Sequence, residues 1–288
     1  MEMRTLEGSE PRLLYAAFRE AFADYEVPVT WSQAEFEAAN ARRGFDPAVS
    51  LGAFEDGRMV GFVFNGRGAW GGVPTVYDMG TGVVPSARGS ALAGKIAERL
   101  KEMLPGLGIR RYLLEVIRDN APALKTYERA GFRVTRNFEC PGGTFADPGR
   151  PAPAGVRVEE LAAFPRAQAA AMRDWEPSWQ NSDDSIARNP TPLVMLGARE
   201  DGRASGRPEG RLLGCLVAAP NGTIWQLAVD RGARRRGIGT ALLRSLAARS
   251  GGAIRYINVQ SDDEATLGLL ARCGAGEGPG QHEMVLEL

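Results

Sequence analysis

The strongest constraint on this chain is that it repeats itself. The first half opens with a strand-like MRTL, a helical stretch from Pro11 to Tyr25, and a hairpin, LGAFEDGRMVGFVFNG, turning at Asp56-Gly57. The second half opens with VRVEEL and a helical AQAAAMRDW. LVMLGARED and RLLGCLVAAPNG then give the same hairpin, with a longer Gly-rich tip between Gly202 and Gly210. After each hairpin an apolar strand (TVYDMGTGVV; TIWQLAVD) enters a Gly/Arg turn and an Ala/Leu-rich helix. A further strand (RRYLLEVI; IRYINVQ), a second helix and a glycine follow. Gly61 falls in register with Gly214, Arg88 with Arg234, and Gly131 with Gly274. Self-similarity on this scale marks a duplicated unit, and strands alternating with helices predict an α/β fold with a mixed sheet in each copy. Between Glu139 and Val156 the segment ECPGGTFADPGRPAPAGV is dense in Pro and Gly without period, so the expected boundaries are 1–140, a linker at 141–155, and 156–288.

Composition narrows the function classes. Lys+Arg and Asp+Glu are equal at 35 each, against the net basic charge usual for nucleic-acid binders. Three cysteines, Cys140, Cys215 and Cys273, give neither a disulfide framework nor a zinc pattern. With one histidine, His282, expected on a strand surface, a Ser-His-Asp triad or His-based metal centre would have nothing else to use, and no metal site is expected. The N-terminal MEMRTLEGSE lacks an apolar signal region and no run of 18 apolar residues occurs, so the expectation is a cytoplasmic protein with no membrane partner.

The run VDRGARRRGIGTALL, Val229 to Leu243, carries the sharpest chemical signal. A strand ending at Val229 and a helix running to Arg249 flank Arg234-Arg235-Arg236-Gly237-Ile238-Gly239. The first N–H groups of a helix lack internal partners and carry the positive end of its dipole. Glycines let an anion reach that backbone, and arginines add charged contacts. The run therefore reads as a pyrophosphate cradle, or equally as a solvated Arg-rich helix start.

The spacing V-x-x-x-x-R-x-x-G-x-G, on Val229, Arg234, Gly237 and Gly239, resembles motif A of the GCN5-related N-acetyltransferases (the GNAT superfamily). The first half carries the counterpart Val83-Val84-Pro85-Ser86-Ala87-Arg88-Gly89-Ser90-Ala91-Leu92-Ala93, with Ala91 and Ala93 in place of the two glycines. Leu114-Glu115-Val116, Asn120, Ala123, Tyr127 and Gly131-Phe132 resemble motif B. The resemblance implies two tandem GNAT-like domains, each a mixed, mostly antiparallel twisted sheet flanked by helices, and acetyl-CoA as cofactor. It implies cofactor contacts from Leu227, Val229, Arg234, Arg235, Arg236, Gly237, Ile238, Gly239 and Thr240. In the first half the matching positions are Val83, Arg88, Gly89, Ser90, Ala91, Ala93 and Asn120.

Acetyl transfer to an amine needs a base for the ammonium proton, an N–H for the oxyanion and an acid for the thiolate. In ribosomal-protein acetylases of the superfamily the motif B tyrosine is the acid and the strand glutamate the base. This implies Tyr127 and Glu115 here, with Asp78 in reserve. The second half sets Asn258 against Glu115, Asp263 against Asn120, Leu270 against Tyr127 and Ala275 against Phe132. The expectation is divided labour, with the cofactor held best in the second half and the acid and base kept in the first. The acceptor would be a primary amine of a small molecule or peptide, and the protein a monomer or homodimer. The alternative is an acyl-CoA-binding or interaction module with little or no transferase activity; nucleic acid is not an expected partner.

Overall fold

The computed structural model describes residues 1–24, 30–151, 153–200 and 210–288. Tyr25 and nearly all of the second hairpin tip lie outside the described residues. The chain divides into two compact units. One is Met1–Arg136 with Asp184–Pro190 and His282–Leu288; the other is Asn137–Asp183 with Thr191–Gln281.

In the first unit β1 (Glu2–Thr5), β2 (Leu51–Glu55), β3 (Arg58–Trp70) and β4 (Val73–Val83) form an antiparallel meander. Asp56 (φ 48°) and Gly57 (φ 78°) make the β2–β3 turn, the left-handed pair that a two-residue hairpin demands. β5 (Arg111–Ile117) runs parallel to β4, with Thr75–Asp78 beside Arg111–Leu114, and beyond that point the two strands part. Alternation along β3 sorts the core into two layers. Phe62 and Phe64 face α1 (Pro11–Ala21) and α2 (Gln33–Arg43), with Phe18 and Phe36, while Val63 joins Ile96 and Leu100 of α3 (Leu92–Met103). Helix α4 (Ala121–Arg129) covers the same side as α3 through Leu124 and Tyr127. Helix α2 did not figure in the sequence reading, although Ser32 and Glu35 form a complete capping box at its start.

The second unit repeats the plan. β8 (Val156–Glu160), β9 (Val194–Glu200), β10 (Leu212–Ala218) and β11 (Thr223–Val229) are antiparallel neighbours, and β12 (Ala253–Tyr256) is parallel to β11. Helix α5 (Arg166–Met172) packs through Ala169 and Met172 on Cys215 and Ala228. Asp184–Pro190, which carries most of α6 (Asp183–Arg188), belongs to the first unit. Helix α7 (Ile238–Ala247) fills the other layer with Ile238, Leu242, Leu243 and Leu246, joined by Leu270 of α8 (Glu264–Arg272).

The sheet orders show where the expected boundaries at 140 and 156 differ from the compact units. Beyond β5 the first sheet continues with β15 (Gln281–Glu287) and only then β6 (Arg133–Glu139). Beyond β12 the second sheet continues with β7 (Gly142–Thr144) and only then β14 (Ala275–Gly276). Each sheet thus takes one inner strand, β15 in the first and β7 in the second, from the segment that follows the other half. The Pro/Gly stretch expected as a linker contains β7, paired with both β12 and β14. β13 (Val259–Gln260) pairs with the end of β6. Among the described residues the three cysteines are buried and form no disulfide, and no helix is long and apolar enough to cross a membrane.

Candidate functional site

In the second unit β11 and β12 pair only at Thr223–Arg255 and Ile224–Tyr256, then separate. A bulge between Val217 and Ala218 shifts the β10 register as β11 passes Trp225. Past Val229 the chain makes a 3-10 turn at Arg231–Ala233, passes Arg235 in the left-handed region (φ 65°) and reaches Gly237 (φ 88°), the residue before α7. This curl turns consecutive N–H groups at the start of α7 toward one point, the geometry that accepts anionic oxygens. A cavity of about 170 Å³ opens there. Its walls include Leu227, Val229, Arg234, Arg235, Gly237, Ile238, Gly239 and Thr240, eight of the nine cofactor positions expected in this half. Arg236 is exposed and is not among them.

The cavity also takes residues that sequence reasoning missed. Trp175, Gln226, Tyr256 and Arg272 line it, as do Pro148 and Arg150 from the supposed linker. That segment is strapped down: Arg244 holds Asp147 through two bonds of 2.7 and 2.8 Å and donates to the Arg150 carbonyl at 2.8 Å. The paired Asp147 carboxyl sits below its usual range because of the hydrogen bond from Arg244. Gln226 is buried in a network, donating to the Asn181 carbonyl and Asp183 and accepting from Arg173.

Both motif arginines have partners within the protein. Arg234 donates through Nε to the Val229 carbonyl (3.1 Å) and through Nη2 to the Met172 carbonyl (3.0 Å), and its Nη1 meets Asp174 at 2.6 Å. Arg88 repeats the pattern on the Val83 carbonyl, the Ala21 carbonyl and Asp24. In both copies the guanidinium ties the turn to the C-terminus of the first helix of that half, α1 or α5. Asp174 and Asp24 are held below the ordinary carboxylate range by these hydrogen bonds.

The first-half turn keeps the backbone path without the glycines. Gly89 (φ 77°) and Ala91 (φ 55°) take the conformations of Arg235 and Gly237. Ser90 donates its hydroxyl to the Ala87 carbonyl, so its oxygen closes the turn. The second glycine has a packing reason: a Cβ on Gly239 would stand 2.6 Å from Leu269 Cδ2. The motif B register places Thr126, a shorter residue, opposite Ala93 where Leu269 stands opposite Gly239.

Motif B separates the expected acid from the expected base. Asn120 caps α4 by accepting the Ala123 N–H, as Asp263 caps α8 by accepting the Thr266 N–H. Tyr127 hydrogen-bonds Asp78, whose carboxylate also accepts from Gly80 N–H (2.8 Å) and the Thr81 hydroxyl (2.7 Å). Asp78 keeps some exposed surface, yet the protein crowding its carboxyl lifts its pKa to about 6 against those three hydrogen bonds. Glu115 instead hydrogen-bonds the buried Tyr77 phenol, which burial pushes well above its ordinary range. The ladder sets Tyr77 beside Leu113 and Asp78 beside Leu114, so Glu115 and Tyr77 share one face of the sheet and Asp78 the other. Arg42 lies near Glu115 and Tyr77, its pKa lowered to about 9 by burial and by Arg43.

The ladders also correct one register. Asp78 pairs with Leu114 and Ile224 with Tyr256, so Tyr256 takes the place of Leu114 and Glu115 corresponds to Ile257. Asn258, in the left-handed region (φ 61°), is an extra residue in the second copy. Among the described residues no group of three His, Cys, Asp or Glu side chains is placed to hold a metal ion.

The sequence matches the Acetyltransferase (GNAT) family over residues 13–132 and again over 158–275. A mycothiol acetyltransferase of Brachybacterium faecium is 33% identical over 139 residues, covering 47% of this chain and 41% of that protein. One from Thermomonospora curvata is 34% identical over 112 residues, covering 39% and 37%. The chain thus spans about two-fifths of the length of the curated relatives it matches. Among solved structures, a tandem GNAT protein from the clavulanic acid biosynthesis pathway superposes with a TM-score of 0.72 at 15% identity, covering 99% of this chain and 98% of that one. A GCN5-related N-acetyltransferase from Sphaerobacter thermophilus superposes with a TM-score of 0.70 at 17% identity, covering 99% and 95%.

Proposed function

Because the chain belongs to the acetyltransferase (GNAT) family, with the family matched in both halves, we propose that it transfers an acetyl group from acetyl-CoA to a primary amine of a small molecule or peptide. The amine attacks the thioester directly. One observation carries the cofactor assignment: the cavity at the start of α7, where Gly237 and the parting of β11 from β12 open a path from helix amides to strand amides. The α7 amides take the diphosphate, with Arg235 at the wall adding charge. The pantetheine arm runs toward Leu227, on the strand that supplies the oxyanion N–H.

In the first unit we assign Tyr127 as the acid for the thiolate and Glu115 as the base for the amine, acting on acetyl-CoA held at that unit's own turn around Gly89, Ser90 and Ala91. Their placement on opposite faces of the sheet, at the parting of β4 from β5, supports this division, since the thiolate leaves on the side away from the entering amine. Asp78 orients the Tyr127 phenol.

The test is CoA release from acetyl-CoA with a panel of amines, including the des-acetyl form of mycothiol suggested by the relatives' name. Wild-type protein is compared with Gly237→Glu and Tyr127→Phe. Divided labour predicts that Tyr127→Phe loses turnover with CoA binding intact, whereas Gly237→Glu loses the second unit's CoA binding and keeps the first unit's turnover. Full turnover in Tyr127→Phe would place catalysis in the second unit. Tight CoA binding with no turnover on any amine would favour a binding module.

A further inference from the structure

Tyr256 is the last residue of β12, at the point where that strand leaves β11. It is 2% exposed and lines the cavity at the start of α7. Its backbone is fixed by a hydrogen bond from its N–H to the Pro141 carbonyl at 2.8 Å. Its hydroxyl oxygen accepts the Leu227 N–H at 3.2 Å. That amide lies on the strand just before the motif turn, where an amide would meet an acyl carbonyl.

A phenol that accepts one hydrogen bond still has a proton to donate. Among the described residues no carbonyl or side chain accepts the Tyr256 proton, and a buried donor without an acceptor is costly. An acceptor atom from outside the chain, placed in this cavity, would satisfy it. The repeat supplies an internal comparison. In the first unit the corresponding strand residue is Leu114; that unit's phenols on this side are Tyr112, two residues earlier on β5, whose hydroxyl donates to Asn65, and Tyr127 on α4. In the second unit α8 carries Leu270 at the Tyr127 position, and the strand phenol Tyr256 stands at the Leu114 position.

We propose that Tyr256 is the residue of the second unit that recognises an acyl thioester, donating its hydroxyl proton to the carbonyl oxygen in series with the Leu227 N–H. The N–H polarises the hydroxyl, and the hydroxyl reaches the ligand; the contact reads the acyl group and ignores a free thiol. The inference rests on the reading that the α7 cradle holds acetyl-CoA.

Calorimetry on the full chain separates the two. The ligands are acetyl-CoA and S-ethyl-CoA, a thioether of similar size that lacks the carbonyl. Wild-type protein is expected to bind acetyl-CoA about tenfold more tightly, the worth of one good hydrogen bond. Tyr256→Phe keeps the ring and should bring the ratio close to one by weakening acetyl-CoA alone. An unchanged ratio in Tyr256→Phe overturns the proposal, as does tighter acetyl-CoA binding, which would make the hydroxyl a plug on the Leu227 amide. Gly237→Glu serves as the site control. If binding of both ligands survives that change, the cradle assignment itself has failed and the Tyr256 proposal falls with it.

Discussion

Arg234 and Asp174 meet at 2.6 Å, while the same guanidinium holds the Val229 and Met172 carbonyls. The most conspicuous arginine of the R-x-x-G-x-G motif therefore already has partners within the protein. Its position sets the angle at which the turn enters α7, and its influence on a diphosphate in the proposed cradle is expected to be indirect. Arg234→Ala is expected to destabilise the second unit by about 1–3 kcal/mol, from two carbonyls and a carboxylate losing their donor. It should weaken CoA binding less than Gly237→Glu does. Thermal melting alongside calorimetry checks this; a large loss of affinity with unchanged melting would make Arg234 a ligand instead.

The left-handed residues of the two turns give a second expectation. A non-glycine residue in this region carries a cost of roughly 1–2 kcal/mol, partly offset because glycine loses more freedom on folding. Ala91 (φ 55°) and Arg235 (φ 65°) bear it, while Gly89 and Gly237 do not. Ala91→Gly should therefore raise the stability of the first unit by about 0.5–1 kcal/mol, and Gly237→Ala should lower that of the second by a similar amount. Urea midpoints measure both. If Ala91→Gly lowers the midpoint, the turn does not hold the conformation described.

The exchanged strands make the halves inseparable at the apparent seam. Removing His282–Leu288 takes away the strand between β5 and β6, together with fully buried Met284 and Glu283, whose carboxylate receives Thr135 and Arg136. Ending the protein before His282 is expected to abolish cooperative melting of the first unit, and a fragment of residues 1–140 should aggregate for the same reason. Circular dichroism and gel filtration of the two truncations decide it; a monomeric, cooperatively melting 1–140 fragment would contradict the exchange.

Much of this architecture was legible in the sequence because it depends on local chemistry. Asp56-Gly57 specified its hairpin, and the Arg-Gly run its strand-turn-helix. The strand exchange was not legible, since β7 is a three-residue GGT with no alternating pattern and its partners are far away in sequence. The ion pair of Arg234 was not legible either, since its acidic partner, Asp174, stands sixty positions earlier in the sequence. Tyr256 matches no position of either motif. Only the ladder, which pairs it with Ile224, puts its hydroxyl at the parting of the strands.

Asp78 supplies a pH signature. Its folded pKa of about 6 lies above the unfolded value of 3.8, so the native state binds its proton more tightly than the unfolded chain does. The contribution to stability is thus greatest below about pH 4, falls as the pH rises through the window from about 4 to about 6, and is absent above it. A shift of this size corresponds to roughly 3 kcal/mol across the window. Asp78→Asn removes the titration while keeping an oxygen for some of the donors from Gly80, Thr81 and Tyr127. Relative to that variant, the wild type should lose stability steadily between pH 4 and pH 6.5, measured by urea denaturation at half-unit steps. A difference that does not change with pH would mean that Asp78 is ionised throughout. In that case the carboxylate, fully charged beside Tyr127, would hold the phenol by charge, and the acid assigned to the thiolate would be the weaker for it.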